Sequence, residues 1–234
     1  MKRRASIVLA LGVLVAAALA TTAGAGSAGT QGAAGSQAVS CKSTLKIAFV
    51  TPLTGGAGFL GQEQLSWTKY AIKTLAPQLG LKIRLLLGDT PVEQGPAPAQ
   101  TLAQKYVADK TVVAILGPST SGAVAASSKT YFDAGLAHIS ASATRTSLTK
   151  GSPNEATAAF FRVIPGDYIQ GPSDANFMIS KGAKSVVLLD FQEPYSVGLS
   201  DAAEVVLKAK GVSTSRLSIS NLVTDFSSFV TKVP

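Results

Sequence analysis

Cysteine and histidine each occur only once in the 234-residue sequence. The single cysteine, Cys41, excludes a disulfide within the chain. The single histidine, His138, falls in a short predicted strand, where we expect a packed side chain rather than a catalytic base. The sequence has no cluster of cysteine, histidine or acidic residues at metal-ligand spacing, so it predicts no metal and no other cofactor.

Charged residues are also sparse, at 15% of the chain, and the formal net charge is +8. Part of this excess lies in Lys2–Arg4, at the start of the sequence. The other lysines and arginines are scattered, with no basic run and little aromatic interleaving. We therefore expect a solvated surface charge and no nucleic-acid partner.

The one long apolar run, Ile7–Ala20, is too short to span a bilayer comfortably. It follows a basic start, and A-x-A motifs stand at Ala18–Ala20 and Ala23–Ala25. This arrangement predicts a secretory signal peptide over residues 1–25. Residues 26–43 are rich in glycine, alanine and serine and predict a flexible tether. We therefore expect an exported protein, in the periplasm or on the outer face of the cytoplasmic membrane.

Ala38–Cys41 loosely resembles a lipoprotein processing site, which would put a lipid anchor on Cys41. However, the position three before the cysteine is alanine instead of the expected leucine, and the apolar run ends well upstream. We therefore favour a thiol that is free, or paired outside this chain, over a lipid anchor.

From Leu45 onward, apolar strand-like runs alternate with helical periodicity, which predicts an α/β fold with a parallel sheet covered on both faces. The first half predicts strands at Leu45–Val50, Lys82–Leu87, Val112–Leu116 and Ala137–Ile139, and helices at Glu63–Leu79, Ala97–Asp109 and Ser121–Phe132. The second half restarts the pattern with strands at Phe160–Ile164, Ser185–Leu189 and Leu217–Ser220, and helices at Asp167–Lys181, Gly198–Lys210 and from Phe226. We expect Leu65, Ile72, Leu75 and Leu79 on the buried face of the first helix, and Asp167 as the cap of the fourth.

Two doubly wound parallel-sheet lobes follow from this alternation. We place the first lobe at residues 44–165 and a partial second lobe at residues 166–234. The last predicted helix has no following strand, so we expect the second lobe to be incomplete in this chain.

Four predicted loops meet at the carboxyl edge of the strands, where parallel sheets bind ligands. They are Thr51–Gly61, Gly117–Gly122, Ser140–Thr146 and Phe191–Tyr195. In the second loop, Ser121 is expected to cap the helix that follows. Free backbone N–H groups and uncharged hydroxyls at such a position suit a carboxylate.

The first loop also offers a different interpretation, because Gly56–Gly61 matches the dinucleotide pattern G-x-G-x-x-G. In that pattern the first glycine follows its strand almost directly, whereas here Thr51–Gly55 intervenes. Asp89 ends the second predicted strand, where an acid that binds ribose would stand. A nucleotide site therefore stays open as the alternative to a loop that presents its backbone to a small ligand.

Several motifs in order resemble the substrate-binding proteins of branched-chain amino acid ABC transporters. They are ILGPSTSGAVAASSKTYFDAGLAHISASAT, FFRVIPGDYIQGPSDANFM, VVLLDFQEPYSVGLSDA and DFSSFVTKV, which begin at Ile115, Phe160, Val186 and Asp225. The resemblance extends from about Leu45 to the end of the sequence. It implies the type I periplasmic-binding-protein fold, in which two α/β lobes are joined by a hinge.

The resemblance also implies a ligand site. Ser121 and Thr144 would hold the ligand carboxylate, the backbone near Ser142 would meet its ammonium, and Tyr195 would close on it from the second lobe. Leu60 stands where the family usually has an aromatic residue, and an extra residue, Pro194, precedes Tyr195. Gly122 and Ala143 complete the implied site. The acidic partner of the ammonium in this family would lie beyond residue 234.

The resulting hypothesis is a non-catalytic, monomeric binding protein that captures a branched-chain or similar small amino acid for an ABC permease. The same fold could instead serve as the ligand domain of a receptor. An enzyme is not expected, since Gly117–Gly122 lacks the spacing of a G-x-S-x-G nucleophile elbow.

Overall fold

A five-stranded parallel sheet forms the first lobe of the computed structural model, which describes residues 43–150 and 157–232. Its strands lie in the order β2-β1-β3-β4-β5. They are β1 (Leu45–Thr51), β2 (Ile83–Asp89), β3 (Val112–Leu116), β4 (His138–Ser140) and β5 (Phe160–Arg162). The predicted signal peptide, the predicted tether up to residue 42, and Cys41 lie outside the described residues.

Helices connect these strands. They are α1 (Gly58–Leu75), α2 (Ala97–Ala108), α3 (Ser121–Asp133) and the short α4 (Ser147–Lys150), with 3-10 turns at Pro77–Leu79 and Val92–Gln94. The second lobe contains α5 (Asp167–Ser180), β6 (Ser185–Asp190), α6 (Pro194–Ala209), β7 (Ser213–Ser218) and α7 (Ser227–Val230), and β6 pairs with β7 in parallel. In the described part of the chain, no helix is both long enough and apolar enough to cross a membrane.

Each lobe has its own apolar core. In the first lobe, β1 lies between β2 and β3, and its Ala48 and Val50 pack against Tyr106 of α2 and Tyr131 of α3. In the second lobe, Leu188 of β6 packs with α5 and α6. Burial of these apolar side chains, at about 25 cal/mol per Å², is the main force holding helices on the sheets.

Several predicted elements differ from the structure, and among them α6 begins at Pro194 instead of Gly198. Phe160 begins β5, which pairs with β4 in the first sheet, so the restart of the pattern falls at α5. The first helix begins earlier than predicted, at Gly58. Two residues expected on its buried face are exposed instead: Leu75, at 53%, and Leu79, beyond the helix, at 56%. The helix ends at Leu75, so a continuous helical face through Leu79 does not form. The last strand runs over Ser213–Ser218, whereas the sequence predicts it at Leu217–Ser220, because its serine and threonine residues give little apolar pattern.

His138 is fully buried in the first lobe, between the rings of Tyr131 and Phe160. Its Nε2 lies 2.8 Å from the Ser128 hydroxyl, and its Nδ1 lies 3.4 Å from the carbonyl of Leu136. Burial lowers the pKa of His138 to about 4. The expectation of a packed histidine is therefore confirmed, and this imidazole stays neutral at physiological pH.

We predict that protonation of His138 destabilises the protein in mild acid. An unfolded histidine takes up a proton near pH 6.5, whereas the folded one resists protonation down to about pH 4. Stability should therefore fall as the pH drops through this window, by up to about 3 kcal/mol from this residue. Urea unfolding across the window measures the loss. His138→Gln, which retains a polar group for Ser128, should lack this part of the decline, and identical pH profiles for the two proteins would contradict the prediction.

Candidate functional site

The four loops at the carboxyl edge enclose a cavity of about 420 Å³ together with the start of α6 and the segment after β7. Its lining residues are Ala57, Leu60, Val92, Ser119, Thr120, Ser121, Ser142, Thr144, Phe191, Glu193, Tyr195 and Asn221. Five residues predicted from the sequence therefore line one cavity: Leu60, Ser121, Ser142, Thr144 and Tyr195. Gly122 instead lines an adjacent cavity, and Ala143 is fully buried beneath the loop.

The first loop is fastened to the sheet by a carboxylate. Asp89 accepts hydrogen bonds from the backbone N–H groups of Leu53 (2.7 Å) and Thr54 (3.3 Å), and from the Thr54 hydroxyl (2.6 Å). Helix α1 then passes close to the loop, since a Cβ at Gly61 would lie 1.8 Å from the carbonyl oxygen of Pro52. The acid required by the nucleotide alternative is thus engaged by the loop itself, and Gly61 permits close packing of loop against helix.

Helix α3 is capped by Thr120, one residue before the predicted cap. Thr120 has an extended backbone, and its Oγ1 accepts a hydrogen bond from the N–H of Ala123 at 3.3 Å. Ser121 is therefore the first helical residue, and its hydroxyl accepts the N–H of Arg145 at 3.2 Å. This bond connects the start of α3 to the Ser140–Thr146 loop, so both predicted carboxylate contacts stand on connected elements.

The Ser140–Thr146 loop is held by a network of hydroxyls. Ser140 Oγ accepts the N–H of Ala143 at 2.9 Å and donates to the carbonyl of Pro118 at 2.7 Å. Ser142 Oγ donates to the carbonyl of Ser119 at 2.6 Å and accepts from the side-chain amide of Gln64 at 2.9 Å. Gln64 of α1 thus joins two loops of the site, a role that no sequence motif indicates.

Two polar groups at the junction of the lobes have no hydrogen-bond partner among the described residues. They are the hydroxyl of Thr144 and both carboxylate oxygens of Asp167. The two residues are neighbours, since the Asp167 N–H donates to the carbonyl of Thr144 at 2.8 Å. The Asp167 side chain is fully buried, and a Cβ at Gly198 of α6 would lie 3.4 Å from its Oδ2.

The environment of Asp167 disfavours its ionised form. Burial raises its pKa, although the nearby Thr144 hydroxyl and the Arg162 guanidinium offset part of the rise. That guanidinium donates to the carbonyls of Ala143 (3.3 Å) and Arg145 (3.0 Å). The predicted cap role is wrong, because Gly166 occupies the N-cap position and Asp167 begins the helix.

The second lobe contributes the loop Phe191–Tyr195. Asp190, which is 1% exposed at the end of β6, accepts hydrogen bonds from Gln192 N–H (3.0 Å), Ser218 Oγ (2.9 Å) and Arg216 Nε (2.9 Å). Gln192 has a φ of 56°, which a non-glycine residue adopts only when its surroundings enforce it. Asp190 therefore fixes the turn that carries the cavity residues of this loop.

Glu193 follows in the same loop and caps α6. Its carboxylate accepts the N–H groups of Tyr195, at 2.9 Å, and Ser196. The first lobe is also contacted directly, because the side-chain amide of Asn221 donates to the carbonyl of Val92 at 3.3 Å. Glu193 lies in a loop that the sequence predicts at this edge, although no motif singles it out, and no pattern in the sequence indicates Asn221.

Comparison with known proteins shows three similarities. The sequence matches the family described as periplasmic binding protein over residues 44–234. It is 24% identical over 192 residues to a Pseudomonas aeruginosa protein described as an amino acid binding protein, covering 80% of this chain and 50% of that protein. A leucine binding protein from Thermotoga maritima superposes with a TM-score of 0.72 at 26% identity, covering 80% of this chain and 52% of that one.

A further solved structure shows the same fold around a different ligand. It is an ABC-transporter solute binding protein from R. palustris in complex with 4-hydroxybenzoate, with a TM-score of 0.70 and 19% identity over 82% of this chain and 51% of that one. This chain therefore spans about half the length of the proteins that it matches. The type I fold predicted from the sequence is confirmed.

We predict that Asp190 contributes far more to stability than Asp201, although both contact Arg216. Asp190→Asn removes a buried charge from a pair whose Arg216 side chain is 24% exposed, and weakening its hydrogen bonds should cost about 1.5–3 kcal/mol. The matched variant Asp201→Asn changes a side chain that is 63% exposed and should cost less than about 1 kcal/mol. Urea denaturation of the two variants measures the difference, and equal losses would show that the buried pair does not hold the loop.

Proposed function

Because this chain belongs to the periplasmic binding protein family, we propose that it is the solute-binding component of an ABC transporter and that its ligand is an amino acid. The observation that carries this proposal is the pairing of two kinds of group at one site. The Ser121 hydroxyl stands at the N-terminus of α3, the Thr144 hydroxyl lines the same cavity, and the fully buried carboxylate of Asp167 lies behind Thr144 without lining the cavity itself. A zwitterion matches this arrangement.

The carboxylate of the ligand would bind at the start of α3. Ser121 and Thr144 line the cavity, and the first N–H groups of a helix have no partner within the helix. Together with the helix dipole they favour a negative group. The unpartnered hydroxyl of Thr144 is a donor that such a ligand would satisfy.

Asp167 would balance the ammonium of the ligand from behind Thr144, since its carboxylate does not line the cavity. The Arg162 guanidinium offsets only part of the cost of ionising this buried acid, and the cationic group of a ligand would offset more of it. The backbone near Ser142 remains the second predicted contact. An aromatic carboxylic acid, such as the 4-hydroxybenzoate of the R. palustris structure, has no cationic group to offer. Asp167 therefore supports an amino acid over a simple carboxylate, whichever further acid the family places beyond residue 234.

The side chain of the ligand would lie against an apolar wall formed by Leu60, Val92 and Phe191. Such a wall suits aliphatic groups, including those of the branched-chain amino acids. Tyr195 would close on the ligand from the second lobe. Capture would proceed by hinge closure of the two lobes. We further propose an exported, monomeric protein that delivers its ligand to a membrane permease and catalyses no reaction.

Thermal unfolding in the presence of individual amino acids tests the proposal directly. A ligand present at about 100 times its Kd should stabilise the protein by about 2.7 kcal/mol, since it binds only the folded state. The panel should include 4-hydroxybenzoate and benzoate. A shift with these acids and none with any amino acid would contradict the proposed ligand class.

We predict that Thr144→Val weakens binding without weakening the fold. The change keeps the shape of the side chain and removes a hydroxyl that has no hydrogen-bond partner in the described structure. Loss of a hydrogen bond to a charged ligand group should cost about 1.5–3 kcal/mol, which is roughly tenfold to a hundredfold in affinity. Ser121→Ala should reduce affinity similarly, with an added stability cost because its hydroxyl also accepts the Arg145 N–H.

Isothermal titration calorimetry and urea unfolding on the same preparations separate the two effects. Affinity within twofold of the parent for both variants would rule out these hydroxyls as the carboxylate contacts.

We predict that Asp167→Asn stabilises the free protein and impairs binding. The pKa of Asp167 is raised above its ordinary value of 3.8, so the folded state pays for ionisation as the pH rises above that value. The amide has no charge to desolvate, so the free energy of unfolding at neutral pH should increase. The gain should vanish as the pH falls below 3.8, where the acid is protonated in both states. Amino-acid affinity should fall at least tenfold, and a variant that binds as tightly as the parent would exclude Asp167 as the ammonium partner.

A further inference from the structure

A second cavity of about 290 Å³ adjoins the first. The two share four lining residues: Val92, Thr120, Glu193 and Asn221. The second cavity extends between the start of α3 in the first lobe and the start of α6 in the second, and Gly122 and Pro194 line it there. A ligand held at Ser121 could therefore extend past Val92 into this space.

The second cavity is acidic. Glu93 and Glu193 line it, and no lysine or arginine is among the described residues that line either cavity. This contrasts with the chain as a whole, whose net charge is +8. Glu93 accepts one backbone N–H, that of Gly56 at 2.7 Å, and each carboxylate oxygen can accept more than one hydrogen bond.

Thr90 gives an independent indication that the cavity takes a polar group. Thr90 lines the cavity, is 4% exposed, and its hydroxyl has no hydrogen-bond partner in the described part of the chain. Buried polar groups in folded proteins are nearly always paired. The side chains of Gln192 and Asn221 add amide groups at the same cavity.

We infer that the second cavity is a subsite for the cationic end of a long amino-acid side chain, with Glu93 and Thr90 as its polar contacts and with Glu193, whose two oxygens already cap α6, adding negative charge. The inference rests on the proposed function, which places the α-carboxylate and α-ammonium in the first cavity. The aliphatic stem of the side chain lies against the apolar wall and Val92, and the cationic group reaches the carboxylates. The ligand class is thus the basic amino acids, represented by lysine and arginine.

Calorimetry with lysine, arginine and norleucine tests the subsite, because norleucine has the linear side chain of lysine without its terminal amine. At least one basic amino acid should bind the 234-residue protein tenfold or more tightly than norleucine. Glu93→Gln keeps an acceptor for the Gly56 N–H and removes the charge, and Thr90→Val removes the hydroxyl at constant shape. Each should reduce the ratio of basic amino acid to norleucine affinity at least fivefold. Glu63→Gln, an exposed acid on α1, removes the same charge elsewhere and should leave the ratio unchanged.

The possible outcomes distinguish a failure of the cationic subsite from a failure of the proposed function. Binding of norleucine or leucine as tight as that of the basic amino acids would overturn the cationic subsite and leave the proposed function intact. An equal loss for lysine and norleucine in Glu93→Gln would show that Glu93 acts only through the loop that it holds, and would also overturn the assignment. Absence of binding by every amino acid would contradict the proposed function itself.

Discussion

Polar side chains at the carboxyl ends of the strands hold the loops that form the cavity. Asp89 ends β2 and accepts two backbone N–H groups of the first loop. Ser140 ends β4 and accepts two in its own loop, and Asp190 ends β6 and accepts that of Gln192. Backbone groups in a loop that leaves a sheet lose their strand partners, and an unpaired buried N–H costs about as much as a lost hydrogen bond. Asp89, Ser140 and Asp190 provide acceptors for these N–H groups and thereby fix the shape of the site.

Two buried polar groups at the junction of the lobes are exceptions, because they lack the hydrogen-bond partners that the loop backbone has. The Thr144 hydroxyl and the Asp167 carboxylate make no hydrogen bond to another described residue, and the Thr51 and Thr90 hydroxyls are likewise unpartnered. A binding protein must keep some polar groups for its ligand, and those groups destabilise the free protein. The Thr144 hydroxyl and the Asp167 carboxylate are neighbours, and the proposed ligand would bind beside them.

The sequence was informative where burial acts on contiguous residues. Val112–Leu116 is predicted with its observed bounds, and Ala97–Asp109 comes within one residue of α2, because each presents a short apolar run or a helical periodicity. Strand β7 lacks such a pattern, because few apolar residues alternate with its polar ones. Its position in the fold depends on pairing with β6. Local pattern alone could not locate it.

The site was predictable only in part, for a related reason. Ser121 and Thr144 stand in the loops that follow β3 and β4, so topology places both hydroxyls at one edge of the sheet. The sequence predicts Asp167 as a helix cap. Its burial depends on Gly198, which belongs to α6 and packs over it. Thr120 caps α3 instead of Ser121 because of its backbone dihedral angles. The sequence does not reveal these angles, since the two adjacent residues are of similar type. Features that depend on contacts between distant parts of the chain leave no periodic pattern in the sequence.

The distribution of charge between the lobes suggests how a ligand would couple to closure. Hydroxyl donors of the cavity stand on the first lobe, Asp167 begins the helix that leads into the second, and Glu193 belongs to the second. A ligand shifts a conformational equilibrium only to the extent that it binds one state better. The proposed amino-acid ligand would contact groups of both lobes at once, and it would therefore favour the arrangement that brings those groups together.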